Sequence, residues 1–570
     1  MSAMSRDGRA WLPMPALLMV ALGVVGPVAI LLGYSFGLTG DDAVPGLAHY
    51  AATLSDSFYL GVYWDTLRMA AVMTAVSLLA GYPLALIIAR ASGRTRTVLI
   101  AAVVTPLLTN IVVRTLGWVL ILSNQGLLNS LLGWLSPGLQ VNTLGSITGI
   151  TIGLTHVGIP LMVLSLLTSM DDEDPSLREA AQASGAHPWT TFIRVTLPLS
   201  APGIVAGTTL VFVLGVAALI TPLLLGRGRT FVLSTLMVQE IGILRWGRAA
   251  ALALVLFLIV FVAVGVLQRI ALWFGTAQTK ENRAALPRRP LGSVIDRLNH
   301  APVVPRLSTF VRRAYLTVVV AFLLIPLAVV FKSAFDTRPT MHAGFDGFTF
   351  RWIADALDPN LFLPSILLSL RLAAMVVLLG LLLAIPAALA IVRGNFRGRQ
   401  AILSFLLSPL LLPHSALAIG FVLFFQIAGV GPSIWRLLLA HMMVAFPYMV
   451  RVLVSALTGT DPALGEAAAG LGATPLTVIR RVILPSIRAG IFAAVLFGAL
   501  MSFDEATISV LVAGSSTATL PVKIFSELST QFTPAVAAIS TLLIAFVVLV
   551  IVPLERRLGI LTSSRVDARG

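Results

Sequence analysis

Twelve apolar runs, each of about 20 residues or more, divide the chain, and no other feature restricts its fold as strongly. They lie near 13–37, 67–89, 98–122, 145–168, 201–225 and 249–272, then near 313–335, 364–392, 400–427, 433–457, 489–513 and 535–554. A helix rises about 1.5 Å per residue, so about 20 apolar residues cross a hydrocarbon core of about 30 Å. Strands of a membrane barrel would be about ten residues long with strict alternation. These runs are continuous and twice that length, so the expected fold is an all-α integral membrane protein of about twelve transmembrane helices. Composition agrees: 58% of the 570 residues are hydrophobic and 11% charged, against about 25% charged in soluble chains. Arg6 and Arg9 precede the first run as they would precede a signal peptide. The stretch from Trp11 to Phe36 is long for such a peptide and ends in Gly-Leu-Thr-Gly, so an uncleaved helix is expected.

The net charge of +15 points either to nucleic acid or to a membrane surface. With the N-terminus inside and twelve spans, most of the 39 Lys and Arg fall in cytoplasmic segments. That bias follows the positive-inside rule, so the basic excess reports topology and membrane lipid, with no nucleic-acid partner. A multi-pass membrane protein is expected, with both termini cytoplasmic. Arg227, Arg229, Arg245 and Arg248 run against the pattern, in a segment expected outside. There is no cysteine, which excludes disulfides, thiolate metal sites and cysteine nucleophiles.

The chain repeats itself. Asp174-Pro-Ser-Leu-Arg-Glu-Ala-Ala181 corresponds to Asp461-Pro-Ala-Leu-Gly-Glu-Ala-Ala468 at an offset of 287 residues. The same offset pairs Pro160 with Pro447, Pro188 with Pro475 and Glu240 with Glu527. Upstream the offset is 303, pairing Arg68 with Arg371, Arg90 with Arg393 and Pro106 with Pro409. Two tandem six-helix units of like orientation follow, expected at 1–274 and 313–570, with a Pro- and Arg-rich cytoplasmic linker at 275–312.

Each unit carries one long inner loop, at 169–200 and 458–488. Asp174 and Asp461 are suited to N-cap a helix, with Pro175 and Pro462 at its first position. Gly185 and Gly472 fit its C-cap. Pro188 and Pro475 then open a second short helix. A short helix with alanines at its tip fits a groove on another protein, and its duplication argues for two such dockings.

Glu179-Ala180-Ala181, Gly185 and Leu197-Pro198 resemble the loop signature of binding-protein-dependent ABC importer permeases, and Glu466-Ala467-Ala468, Gly472 and Leu484-Pro485 repeat it. The resemblance implies a type I importer permease fold in which each loop is a coupling helix for one ATPase subunit, anchored by Glu179 and Glu466. It implies a place in a bacterial cytoplasmic (inner) membrane, two ATPase copies that bind the ATP and Mg, an external (periplasmic) solute-binding protein as partner, and alternating access for a small-molecule solute. Arg114-Thr-Leu-Gly-Trp118 with Gly126-Leu-Leu-Asn129, and Ser502-Phe-Asp-Glu505 with Leu520-Pro-Val-Lys-Ile524, resemble the two permeases of spermidine/putrescine importers. Aminophosphonate, opine or amino acid, ferric iron and thiamine importers use the same machinery and stay open as alternatives.

No phosphate-binding loop exists: of three lysines, only Lys332 precedes a Ser, and it follows Phe331. No catalytic residue, metal site or cofactor of this chain's own is expected. Asp504 and Glu505 are the clearest acids at membrane depth, either lining a path for a cationic solute or forming a structural pair. Arg114, with Trp118 beside it, either senses an anionic group or pairs with those acids. A secondary transporter also has two six-helix halves and is the rival from another class. A membrane enzyme would need clustered nucleophiles, and none stands out.

Overall fold

The computed structural model describes residues 11–281, 304–546 and 549, apart from 41–44, 137, 172 and 342–343. Arg6 and Arg9, most of the expected linker and the end of the last run lie outside those residues. Among the described residues every element is helical, apart from one isolated bridge between Asp336 and Phe348. Eight helices are long and apolar enough to cross a bilayer, and three pairs bent at a short break raise the number to eleven. Of the twelfth run, the helix Pro534–Phe546 is described.

Among the described residues, four of the runs are not single helices. The run at 98–122 is split into Gly93–Leu107 and Ile111–Leu122. Its counterpart at 400–427 turns through 96° between Arg399–Leu411 and His414–Ile427. The run at 201–225 breaks between Ala201–Ala217 and Ile220–Gly226, and that at 489–513 between Arg488–Asp504 and Thr507–Val512. The breaks obey the repeat: Ile111 and His414 are 303 apart, and Ala217 and Asp504 are 287 apart. Hydropathy conceals them because both sides of each break are apolar. The local causes differ. Leu412 is extended before Pro413, since a proline ring crowds a preceding helical residue. Asn110 accepts the Val112 N–H at 2.9 Å and starts a fresh helix. Glu505 does the same for Ile508 N–H at 2.8 Å.

Each unit packs its second, fourth and fifth spans together around an apolar core. Met162 and Met449, 287 residues apart, each lie against a glycine of the fifth span, Gly207 and Gly498. Small residues at such crossings let helices approach where lipid offers no hydrophobic drive.

The first helix of each unit leaves its own core. Met14–Ser35 packs on Trp246–Glu281 of its own unit and on His414–Ile427 of the other. Ala16, Val20 and Val24 belong to the second unit's core. Reciprocally, Val304–Ala334 packs on Pro534–Phe546 and on Ile111–Leu122. His156 Nε2 lies 2.9 Å from Leu323 O, and the Tyr315 hydroxyl donates to Ala80 O. The exchange ties the units together without their linker.

Gly117 sits where a Cβ would fall on the Pro326 backbone of the exchanged helix. Gly117→Ala should therefore cost about 1–3 kcal/mol through overpacking, read as a lower melting temperature in detergent. Gly133→Ala, with nothing within 4 Å of its Cβ, should be neutral or gain up to about 1 kcal/mol.

Candidate functional site

The two expected inner loops fold alike. Asp174 accepts the Ser176 N–H and Asp461 the Ala463 N–H, both at 2.9 Å, capping Pro175–Ala183 and Pro462–Gly470. The Ser176 N–H holds the exposed Asp174 carboxyl below its usual range. Each helix ends in paired bonds around a glycine of φ +80° or +85°. Ala186 N–H reaches Ala181 O and Gly185 N–H reaches Gln182 O, at 3.1 and 2.9 Å. Ala473 to Ala468 and Gly472 to Ala469 repeat the pattern at 3.1 and 3.0 Å. This is the Schellman arrangement, in which only a left-handed residue closes the turn.

A second helix starts at Pro188 or Pro475 and widens into π geometry over Phe192–Thr196 and Ile479–Ile483. Leu197-Pro198 and Leu484-Pro485 form the last short turn before the chain bends by 61° or 74° into the fifth span. Glu179, Ala180, Glu466 and Ala467 are exposed, and Ala181 and Ala468 are half-buried. Leu177 and Leu464 flank the glutamates, 50% and 53% exposed, while Trp189 and Leu476 are 56% and 73% exposed. Each pair is 287 apart. Two equivalent apolar surfaces thus stand open beside a carboxylate, as at sites of protein contact.

The four span breaks meet across the two units. Asn110 Nδ2, in the first unit's third span, donates to Asp504 Oδ1 at 2.7 Å, at the second unit's fifth-span break. Ser415 Oγ, in the second unit's third span, donates to Ala217 O at 3.0 Å, at the first unit's fifth-span break. The Ser234 hydroxyl donates to Ala218 O beside it. Glu505 is buried, and its Oε2 lies 3.6 Å from His414 Nδ1. Two carboxylates, an amide and an imidazole therefore surround one junction of non-helical backbone. Such backbone persists at membrane depth only where protein groups or a cavity satisfy it.

Arg114 and Trp118 have other settings. Arg114 is buried, and its Nη1 donates to Pro106 O at 2.7 Å, at the last turn before the break. Among the described residues it forms no ion pair with either acid. Trp118 packs against Phe322 and His156, with ring centroids 5.0 and 5.7 Å away. Asn110, His414 and Ser415 were missed in the sequence reading. A polar cap before an apolar run at Asn110, and the 303 offset joining Ile111 to His414, were the available signals.

A cavity of about 400 Å³ lies between the units, lined by Leu116, Val119, Leu224, Arg227, Arg229 and Phe532. It gives two of the four misplaced arginines a common setting. Arg227 takes a left-handed conformation, φ 49°, at the end of Ile220–Gly226.

The family model for the binding-protein-dependent transport system inner membrane component matches the chain twice, over residues 81–272 and 377–559. The spermidine/putrescine transport system permease protein PotC of Haemophilus influenzae is 30% identical over 235 residues, 41% of this chain and 91% of that protein. PotB of Salmonella typhimurium is 33% identical over 247 residues, 42% of this chain and 85% of that protein. A solved bacterial alginate ABC transporter, in complex with a pentasaccharide-bound periplasmic protein, aligns at 19% identity and a TM-score of 0.39, over 45% of this chain and 91% of that one.

Nothing lies within 4 Å of a Cβ built on Gly185 or Gly472, so only backbone strain opposes a side chain there. Gly185→Ala should cost about 1–2 kcal/mol locally. Hydrogen exchange at the Ser184–Ala186 amides should then speed up about tenfold, with the core amides of Ile147–Asp171 unchanged.

Proposed function

The chain belongs to the family of binding-protein-dependent transport system inner membrane components, and from that membership we propose that it supplies both lobes of an importer for a polyamine-class cation. Each lobe is one six-helix unit, 1–274 or 313–570, with 275–312 as the cytoplasmic linker. Two ATPase subunits dock from the cytoplasm on the loops around Glu179 and Glu466, and an external binding protein delivers the solute. Closing of the ATPase pair moves both loops together. Each loop runs through its Leu-Pro turn into a fifth span, so the movement reaches the breaks at Ala217 and Asp504. The junction there then opens alternately to either side.

The observation that carries this reading is the cross-unit hydrogen bond from Asn110 to Asp504. It joins the two lobes at membrane depth by a bond that a protonated amine can replace. An ammonium donates to a carboxylate more strongly than a neutral amide does. A solute amine reaching Asp504 would thus displace Asn110 and loosen the lobes. Glu505 and His414 stand beside the same point. Arg114 holds broken backbone in place.

Polyamine transport by the relatives PotC and PotB agrees with this charge. A second reading, a zwitterionic solute such as an aminophosphonate or opine, is favoured by Arg227 and Arg229 on the cavity between the units. Its anionic end would meet the guanidiniums and its amine the acids.

The test is uptake into liposomes holding this chain with its ATPase and binding protein. Asp504→Asn should lower polyamine uptake at least tenfold while the complex still assembles. Normal uptake by that variant would refute the solute path. Arg227→Gln with Arg229→Gln should leave polyamine uptake intact. If the pair abolishes uptake of a zwitterion that wild type carries, the second reading replaces the first. Glu179→Ala with Glu466→Ala should abolish association with the ATPase, read by co-purification. Gradient-driven uptake by the chain alone would identify a secondary transporter instead.

A further inference from the structure

At the loop end of the first unit a cavity of about 130 Å³ is lined by charged groups, of which Asp171, Glu173 and Arg178 are replaced by uncharged residues in the second. Its polar lining is Arg90, Arg96, Asp171, Glu173, Arg178 and Thr196. Arg96 Nη2 and Asp171 Oδ2 are 2.6 Å apart and neutralise one another. Arg90 and Arg178 remain, lining the same cavity as Glu173. Among the described residues, neither of these two arginines makes a hydrogen bond or ion pair. Glu173 Oε1 is buried with no hydrogen-bond partner. Burial pushes its carboxyl upward, against the pull of Arg178 and Arg90.

The repeat shows how this place is filled when it is complete. Arg393, the counterpart of Arg90, donates to Thr460 O at 2.9 Å and Thr460 Oγ1 at 2.6 Å. Arg399, the counterpart of Arg96, donates to Gly394 O at 3.2 Å. Thr460 stands at the position of Glu173, Thr458 at that of Asp171, and Gly465 at that of Arg178. The second unit thus satisfies its arginine internally. The first has a carboxylate in place of that acceptor and a further guanidinium, and these line the cavity.

We propose that this pocket is a binding site for one phosphate group, free or carried on a lipid headgroup, gripped between Arg90 and Arg178. Guanidinium forks match phosphate oxygens geometrically. The cavity has room for a group of a few heavy atoms. Arg90 and Arg178 against an ionised Glu173 leave one positive charge, which a phosphodiester cancels. A hydroxyl of the headgroup or of the phosphate itself gives Glu173 Oε1 its missing donor. Arg90 ends the span Ser57–Arg90, at the side where the Lys/Arg bias puts the cytoplasm. Basic pockets between helices on that side hold headgroups.

The consequence is asymmetric control. Arg178 belongs to the helix Pro175–Ala183 and adjoins Glu179, whereas Arg90 belongs to the membrane core. A bound phosphate pins one loop helix to the bundle and leaves the other, Pro462–Gly470, free of such a tie. Binding stands apart from the transport reading. Only its effect on ATPase coupling rests on it.

The test is hydrogen exchange of the full chain in nanodiscs. One arm compares phosphatidylglycerol with phosphatidylcholine. The other adds inorganic phosphate, against chloride at equal ionic strength, to phosphatidylcholine discs. At about ten times Kd, opening of residues 175–183 should fall about tenfold. Residues 462–470 serve as the internal control and should not respond. Protection in the first arm alone assigns a headgroup; in the second alone, free phosphate; in both, the shared group. Arg178→Gln should remove the protection, and Arg178→Lys should weaken it. Protection in neither arm, equal protection of 462–470, or protection that survives Arg90→Gln with Arg178→Gln would overturn the site.

Discussion

A peptide group that leaves its helix inside a membrane must find another partner, because hydrocarbon offers none. This chain does so four times, at Leu108–Asn110, Ala218–Leu219, Leu412–Pro413 and Glu505–Ala506, and the rest of the structure is arranged around the repair. Arg114 turns inward to hold Pro106 O. Ser415 crosses to Ala217 O and Asn110 crosses to Asp504. Each crossing bond joins a third span of one unit to a fifth span of the other. The two units are therefore connected at their weakest backbone, which is also where polar groups gather.

The duplication supplies symmetry, and the two units depart from it at a few positions. Both fifth spans break at the same repeat position, yet only the second carries Asp504 and Glu505 there; the first has Ala217 and Ala218. Both second spans end in arginine, yet only Arg393 finds a threonine, while Arg90 lines a cavity with Glu173 and a second guanidinium. One lobe thus holds the acids at the junction and the other an ionic pocket at the loop end. Fusion in one chain keeps these unlike halves together in fixed stoichiometry. The exchanged first helices add a mechanical bond, since neither core is complete without a helix from the other half.

The loops show how local chemistry leaves a surface open. Asp caps, Pro at the first helical position and a left-handed glycine make each helix self-sufficient over nine residues. Little of it is buried in its own unit, so Leu177, Trp189, Leu464 and Leu476 stay open. The rigid Leu-Pro turns behind them lead directly into the broken fifth spans. Each loop is thereby joined to its fifth span across a single bend.

Much of this was legible in the amino-acid order, for a physical reason. Bilayer thickness sets run length, internal duplication preserves spacing, and capping depends on residues within one turn. So the helical class, the two units, the loop helices and their ends at Gly185 and Gly472 follow from residues close in sequence. The breaks, the exchanged helices and the junction do not. Leu219 is as apolar as its neighbours, and the carbonyls freed at the fifth-span breaks are served by donors such as Asn110 and Ser415, 394 and 198 residues away. Arg114 likewise takes a backbone carbonyl eight residues away rather than an acid. Partners that distant are chosen by packing, and only the tertiary structure decides them.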